Sequence, residues 1–195
     1  MNNLIKQKEL EIFQIELKIK KLELEIWNDL DFEWFLPIFG YDNYFISNFG
    51  NVKNSKTNRI LKPGNHPQGY KLVSLKNNGK WKMFRVHRLV GNAFLDNPDN
   101  KPMIDHIDNN TANNNVKNLR WCSQKDNLYN QGKRINNTTG FKGVSFHKHI
   151  NKYIASIRIN GKIKHLGYYE TAEEASKAYE SKAKEIHGDF YYKNK

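Results

Sequence analysis

The residues with the clearest chemical potential stand in the stretch DHIDNN, 105–110, where Asp105 and His106 set a carboxylate beside an imidazole ahead of a run of asparagines. Neighbouring side chains on an extended segment point to opposite faces, so one can hold a hard cation while the other faces a water. Hydrolysis of a phosphodiester with one metal ion needs that division of labour: a base for the water, oxygen ligands for Mg²⁺ or Mn²⁺, and a rigid frame. Asn127 follows in the first turn of a predicted helix, where its amide oxygen can complete the protein's share of the metal shell. Asn118 opens the string NLRW, and its amide can tie the connecting loop to backbone groups. A plainer reading remains: Asp105, Asp108 and the asparagines cap turns, and His106 is a loop histidine. His87 is a rival base, but it opens an amphipathic pattern and reads as structural or phosphate-facing; Asp108 reads as a turn residue. Arg85, Arg88 and Arg120 are candidate phosphate contacts.

These side chains need an ordered set of elements to position them. The segment VHRLVGNAFL, 86–95, carries apolar residues at helical spacing, and an extended KPMIDHID follows. After the asparagine-rich turn comes a second strand, VKNLRW, and then SQKDNLYN, in which Ser123 and Asp126 have the spacing of a helix N-cap with an acid at its third position. The order is helix, strand, loop, strand, helix. Upstream, from Trp34 to about Leu75, short alternating segments separated by turn residues predict a small set of antiparallel strands, with turns at Pro63-Gly64 and Asn78-Gly79. Residues 3–27 read as a helix with two apolar stripes, Ile5, Ile12, Ile15, Ile19, Leu22 and Ile26 on one and Leu10, Phe13, Leu17 and Leu24 on another. Such a helix suits either pairing with a second copy of the chain or docking on its own body.

Beyond a linker at 131–138, a new module begins. FKGVSFHK, YIASIRI and KIKHLGYY predict three strands, with Asn160-Gly161 turning between the last two. Thr171 and Glu174 form a capping box that opens a helix, and Gly188 is placed to end it. Strand parity puts Tyr153, Ala155, Ile157 and Ile159 toward that helix and Ile154, Ser156 and Arg158 on the outer face. Between Thr139 and Tyr169 six lysines and arginines stand with no acidic residue.

Composition agrees with a modular protein that meets a polyanion. The 195 residues are only 38% hydrophobic and 27% charged, with a net charge of +12. Several small cores therefore fit better than one large one, and a polyanion is the expected partner, with a basic but inert surface as the alternative. A single cysteine, Cys122, excludes an internal disulfide and a zinc site built from cysteine pairs. The sequence contains no apolar run of membrane-spanning length and no signal-peptide pattern, so a soluble protein inside a cell, or inside a virus-infected one, is expected.

DHID, NNNVKNLRW and SQKDN together resemble the HNH, or ββα-metal, nuclease motif in the form used by phage homing and nicking endonucleases, over roughly residues 82–130. The resemblance implies that His106 is the general base, that Asp105 and Asn127 bind one divalent metal beside the scissile phosphate, and that Asn118 is structural. Asn127 stands where the motif's final histidine would be, which favours Mg²⁺ or Mn²⁺ over zinc. GYDNYFISNFGNVKN, RILKP and VHRLVGNAF resemble the N-terminal module that commonly precedes HNH motifs in those enzymes.

The last module, with GVSFHK, KYIASIRINGK and HLGYYETAEEASKAYESKAKEIHG, resembles the APETALA/ethylene-response-factor type of DNA-binding domain, over about 139–190. That resemblance implies that Lys142, Ser145, His147, Arg158 and His165 face DNA. Lys164 stands where that family usually has an apolar residue and is included among the DNA contacts with Arg85 and Arg88. The expectation is thus an α+β protein: a helix at 1–28, a strand module at 29–81, a nuclease core at 82–130, a linker at 131–138 and a DNA-binding domain at 139–195. Its expected activity is metal-dependent hydrolysis of double-stranded DNA, with a non-catalytic DNA-binding regulator as the alternative.

Overall fold

The computed structural model describes residues 32–133 and 136–193, with positions 15, 18, 19 and 22. The helix expected over 3–27, and the pairing expected through it, otherwise lie outside the described residues. The architecture is α+β, as the patterning implied, and the chain divides into two compact units, 1–96 with 111–119 and 97–110 with 120–195.

In the first unit, β1 (Phe35–Pro37), β2 (Tyr44–Ser47), β3 (Val52–Asn54) and β4 (Arg59–Ile60) form one antiparallel meander. A second sheet holds β5 (Gly64–Asn65), β6 (Lys71–Asn77) and β7 (Lys80–Arg85). The β6–β7 turn works because Asn78 and Gly79 both adopt positive φ, +48° and +77°, the requirement of a two-residue hairpin that matches strand twist. Helix α1 (Val86–Phe94) buries Val86, Leu89, Val90 and Phe94 in the same unit as Ile46, Val52 and Leu75. Buried Asn48 organises this core: its Oδ1 accepts from Trp34 N, its Nδ2 donates to Phe32 O, and its carbonyl accepts from Val116 N. That last bond holds a 3₁₀ turn, Val116–Asn118, in the first unit.

The second unit begins with β8 (Met103–His106), which pairs with β9 (Leu119–Cys122) and is followed by α2 (Gln124–Asn130). The rest is the expected three strands and a helix: β10 (Val144–His147), β11 (Lys152–Ile159), β12 (Lys162–Tyr169) and α3 (Ala172–His187). Both halves of the capping box expected at Thr171 and Glu174 form, and Gly188, at φ +53°, caps the C-terminus. Ala172, Ala175 and Ala183 let α3 lie close on the sheet, where Tyr179 packs with Val144, Ala155 and Ile157. The approach is tight at Gly143, where a Cβ would stand 2.0 Å from the Tyr179 ring.

The register agrees with the face assigned to β11 and corrects one assignment on β12. Ala155 pairs with Gly167 and Ser156 with His165, so Leu166 is an extra residue that forms a bulge. The bulge keeps His165 and Tyr168 on the outer face with Ile154, Ser156 and Arg158. Lys164, expected among the DNA contacts, pairs with Ile157 on the α3 side, opposite the face that carries Arg158.

Candidate active site

Helix α2 supplies the frame. Ser123 and Asp126 make the capping box expected from the sequence: Ser123 Oγ and N donate to Asp126 Oδ2 at 2.7 and 3.1 Å, and Asp126 N donates to Ser123 Oγ at 3.2 Å. Burial would raise the Asp126 carboxyl, but those bonds from Ser123, with Lys101 and Lys125 nearby, hold it below its ordinary value. A fixed N-terminus sets the rotation of the helix, and residues three apart then share a face. Asn127 and Asn130 are such a pair.

Asn130 is the residue that sequence reasoning missed. It is 2% exposed, and its Nδ2 donates to both carboxylate oxygens of Asp105, at 3.0 Å each, and to the His106 carbonyl at 2.9 Å. One amide thus fixes the acid and the backbone of the histidine beside it. Its Oδ1 accepts from Asn109 Nδ2, which ties in the turn that follows β8. The signal was present in KDNLYN: an asparagine three residues beyond Asn127 belongs to the same stripe of α2.

Arg120 also takes a role other than the one expected. Its Nε and Nη2 donate to Asp105 Oδ2 at 2.9 and 2.8 Å, an ion pair with both partners largely buried. Its Nη1 donates to the Asp189 carbonyl, and the guanidinium lies over the Phe190 ring, 4.0 Å from the centroid. Cys122, two residues along the same strand, is fully buried, and burial, followed by the Asp105 and Asp126 carboxylates, pushes its thiol up to about 11. It is an inert core thiol at neutral pH.

The structure therefore brings Asp105, His106, Arg120 and Asn130 together, with Asn127 one turn earlier on the same face of α2. Asp105 and His106 are each 5% exposed, so they form a buried strand end and not a loop; the turn begins at Ile107, and the Asp108 carboxylate accepts from Asn110 N. Asn118 lies in the first unit, where its Nδ2 donates to the Asn113 carbonyl at 2.9 Å. Also in that unit, His87 is buried beside Tyr70, and Arg85 is exposed at the end of β7 with its guanidinium over the Tyr70 ring. Among the described residues, no group of three or more histidine, cysteine, aspartate or glutamate side chains could hold a metal ion.

On the sheet of the last module, cross-strand partners place Ser145 opposite Ile154, Ser156 opposite His165 and Arg158 opposite Ile163 on the outer face. His165 and Tyr168 rings lie 4.6 Å apart on that face. Lys142, expected to face DNA, has its Nζ donating instead to the Tyr129 and Gln131 carbonyls, both at 2.7 Å, at the C-terminal end of α2. The cause is local, since helices leave their last carbonyls without intrahelical donors and a lysine supplies one. Burial pushes its amine down to about 8. A cavity of about 670 Å³ opens there, lined by Lys125, Lys133, Lys142, Arg158 and His187 among others. Burial, and then Lys142 and Lys125, lower the His187 imidazole, whose ring stacks on Tyr129 at 3.6 Å.

Comparison with known proteins gives this arrangement a family. The HNH endonuclease profile matches residues 84–129, from the end of β7 through α2. The chain belongs to the HNH endonuclease family. Residues 25–76 match the NUMOD4 motif, which covers most of the strand module preceding the nuclease core. An uncharacterized HNH endonuclease of Acanthamoeba polyphaga mimivirus, L245, is 44% identical over 93 residues, 48% of this chain and 28% of that protein. The DNA endonuclease I-HmuI of Bacillus phage SP01 is 40% identical over 103 residues, 52% of this chain and 59% of that one. The solved structure describing DNA binding and cleavage by the HNH homing endonuclease I-HmuI aligns over 74% of this chain and 82% of that chain, at 32% identity and a TM-score of 0.49. The chain thus spans about a quarter of the mimivirus relative and somewhat over half of the phage one. No helix among the described residues is long and apolar enough to cross a membrane.

Proposed function

We propose that this HNH nuclease is a metal-dependent DNA endonuclease of the homing type, that His106 is its general base, and that Asp105 and Asn127 are its metal ligands. What supports the reading is that one buried amide, Asn130, donates to both oxygens of Asp105 and to the His106 carbonyl, on a helix in which Asn127 stands three residues earlier. His106 accepts the proton of the attacking water, and the carboxylate next to it stays oriented because Asn130 and Arg120 hold both of its oxygens. The β8–β9 pair and the capped α2 keep these groups from drifting apart during the reaction. The donor set, one carboxylate and one amide oxygen, suits a hard divalent cation such as Mg²⁺ or Mn²⁺ and lacks the nitrogen and sulfur that zinc favours. When bound, that cation stabilises charge on the leaving 3′ oxygen. Products with 3′-hydroxyl and 5′-phosphate ends follow.

The outer sheet face of residues 139–195, in the manner of an APETALA-type domain, positions the nuclease on duplex DNA through Ser145, His147, Arg158 and His165. Its support is an exposed arginine and imidazole on one face of a strand triplet, with α3 covering the other. A plasmid-nicking assay tests the whole reading. The full chain cuts with Mg²⁺ or Mn²⁺ and stops with chelator, and His106→Ala lowers the rate by at least about 10²-fold while DNA binding persists. Retarded DNA without cutting under either metal would instead make the chain a DNA-binding regulator.

A further inference from the structure

We propose that Arg120 is a positioning residue that stands in for the metal: it neutralises Asp105 in the metal-free protein and yields the carboxylate when a divalent cation binds. This rests on the reading of Asp105 as a metal ligand. A carboxylate that is 5% exposed is costly to bury without a partner of opposite charge. Asn130 donates to it but carries no charge, so the neutralising group is Arg120, whose Nε and Nη2 both point at Oδ2.

A hard cation takes a carboxylate oxygen at about 2.0–2.6 Å. With the guanidinium nitrogens 2.8 and 2.9 Å from Oδ2, the two positive groups compete for the charge of one carboxylate. The guanidinium has somewhere to stay once it lets go. Nη1 is held by the Asp189 carbonyl and the plane rests on Phe190, so release is a small rotation about an anchored group. Asn130 keeps the carboxylate oriented throughout, because its bonds do not depend on the cation. Arg120 therefore lets the strand end fold before metal arrives, at the expense of metal affinity.

The test measures Mn²⁺ binding by calorimetry and thermal unfolding, in chelator and in Mn²⁺, on the full chain without DNA. Arg120→Gln is expected to unfold at a lower temperature than wild type in chelator, to gain more from Mn²⁺, and to half-saturate at an about tenfold lower Mn²⁺ concentration, the equivalent of one charge-assisted hydrogen bond. Arg120→Lys keeps the charge but not the fork, so it is expected to fold and to half-saturate between the two. Half-saturation unchanged or raised in both variants overturns the proposal, as does Mn²⁺ binding in neither. Asp105→Asn separates the premise from the inference: a wild-type Mn²⁺ response in that variant overturns the metal assignment itself, whatever Arg120 does.

Discussion

The side chain on which the site's geometry depends most is one that performs no chemistry, and Asn130→Ala measures its weight. The substitution removes donors to both oxygens of Asp105 and to the His106 carbonyl. A hydrogen bond to a charged group contributes about 1.5–3 kcal/mol net and one to a neutral carbonyl about 0.5–1.5 kcal/mol, so the loss is about 3 kcal/mol, with the site too buried for water to substitute freely. For a unit of this size that is a fall in Tm of at least about 10 °C. Urea unfolding with linear extrapolation is the direct assay, since the slope also reports whether the compactness of either state has changed. Asn130→Asp is expected to be worse at neutral pH, because it replaces the donor with a second carboxylate beside Asp105, and to recover in acid as that pair takes up a proton. DNA cutting falls in both variants. A loss below about 1 kcal/mol for Asn130→Ala, or equal behaviour of the two variants at neutral pH, would refute the reasoning that this amide holds the site together.

Further outcomes follow from other contacts. Asp126 has its carboxyl lowered in the folded state, so its contribution is complete above its ordinary value and is lost as pH falls through the lowered one; Asp126→Ala flattens that acid limb and lowers stability by about 1 kcal/mol at pH 7, read by urea unfolding against pH. The Cys122 thiol, buried and raised to about 11, leaves roughly a thousandth as thiolate at pH 8, so a thiol reagent labels it only after unfolding; stoichiometric labelling of native protein within minutes would contradict the burial. Gly143→Ala puts a methyl 2.0 Å from the Tyr179 ring at a φ of +78°, and is expected to lower the unfolding temperature in a thermal scan. Arg158→Ala is expected to weaken specific DNA binding by about 1–3 kcal/mol if that arginine reads a base edge; unchanged affinity and site preference in a gel-shift series would remove it from the interface.

Much of this site was legible because helix caps, turns and strand parity are local. Ser123 with Asp126, Thr171 with Glu174, and Asn78-Gly79 each announce a geometry that depends on a few neighbouring residues, and each is present. The inner and outer faces of β11 follow from alternation alone. What the sequence left open are contacts made across the fold. Arg120 and Lys142 are cations that read equally well as ligands for phosphate. Their partners, a buried carboxylate fifteen residues upstream and the carbonyls that end α2, are set by tertiary packing. Lys164 was misassigned for a different reason: one extra residue in β12 displaces the alternation, and nothing in KIKHLGYY marks Leu166 as that residue.

The same bulge makes the chemical character of an entire face depend on the backbone of one residue. Gly167 sits at φ +145°, and a Cβ there would come within 3.0 Å of the Tyr169 hydroxyl. A chain that straightened β12 at this point would turn residues 162–165 over together, exchanging His165 for Lys164 on the outward side. The face would trade the imidazole of a histidine for the longer aliphatic amine of a lysine, with no change in composition. A descendant of this protein could therefore present a different outward face through a single methyl group, and an alignment that counted alternating positions straight through Gly167 would attribute the change to the wrong residues.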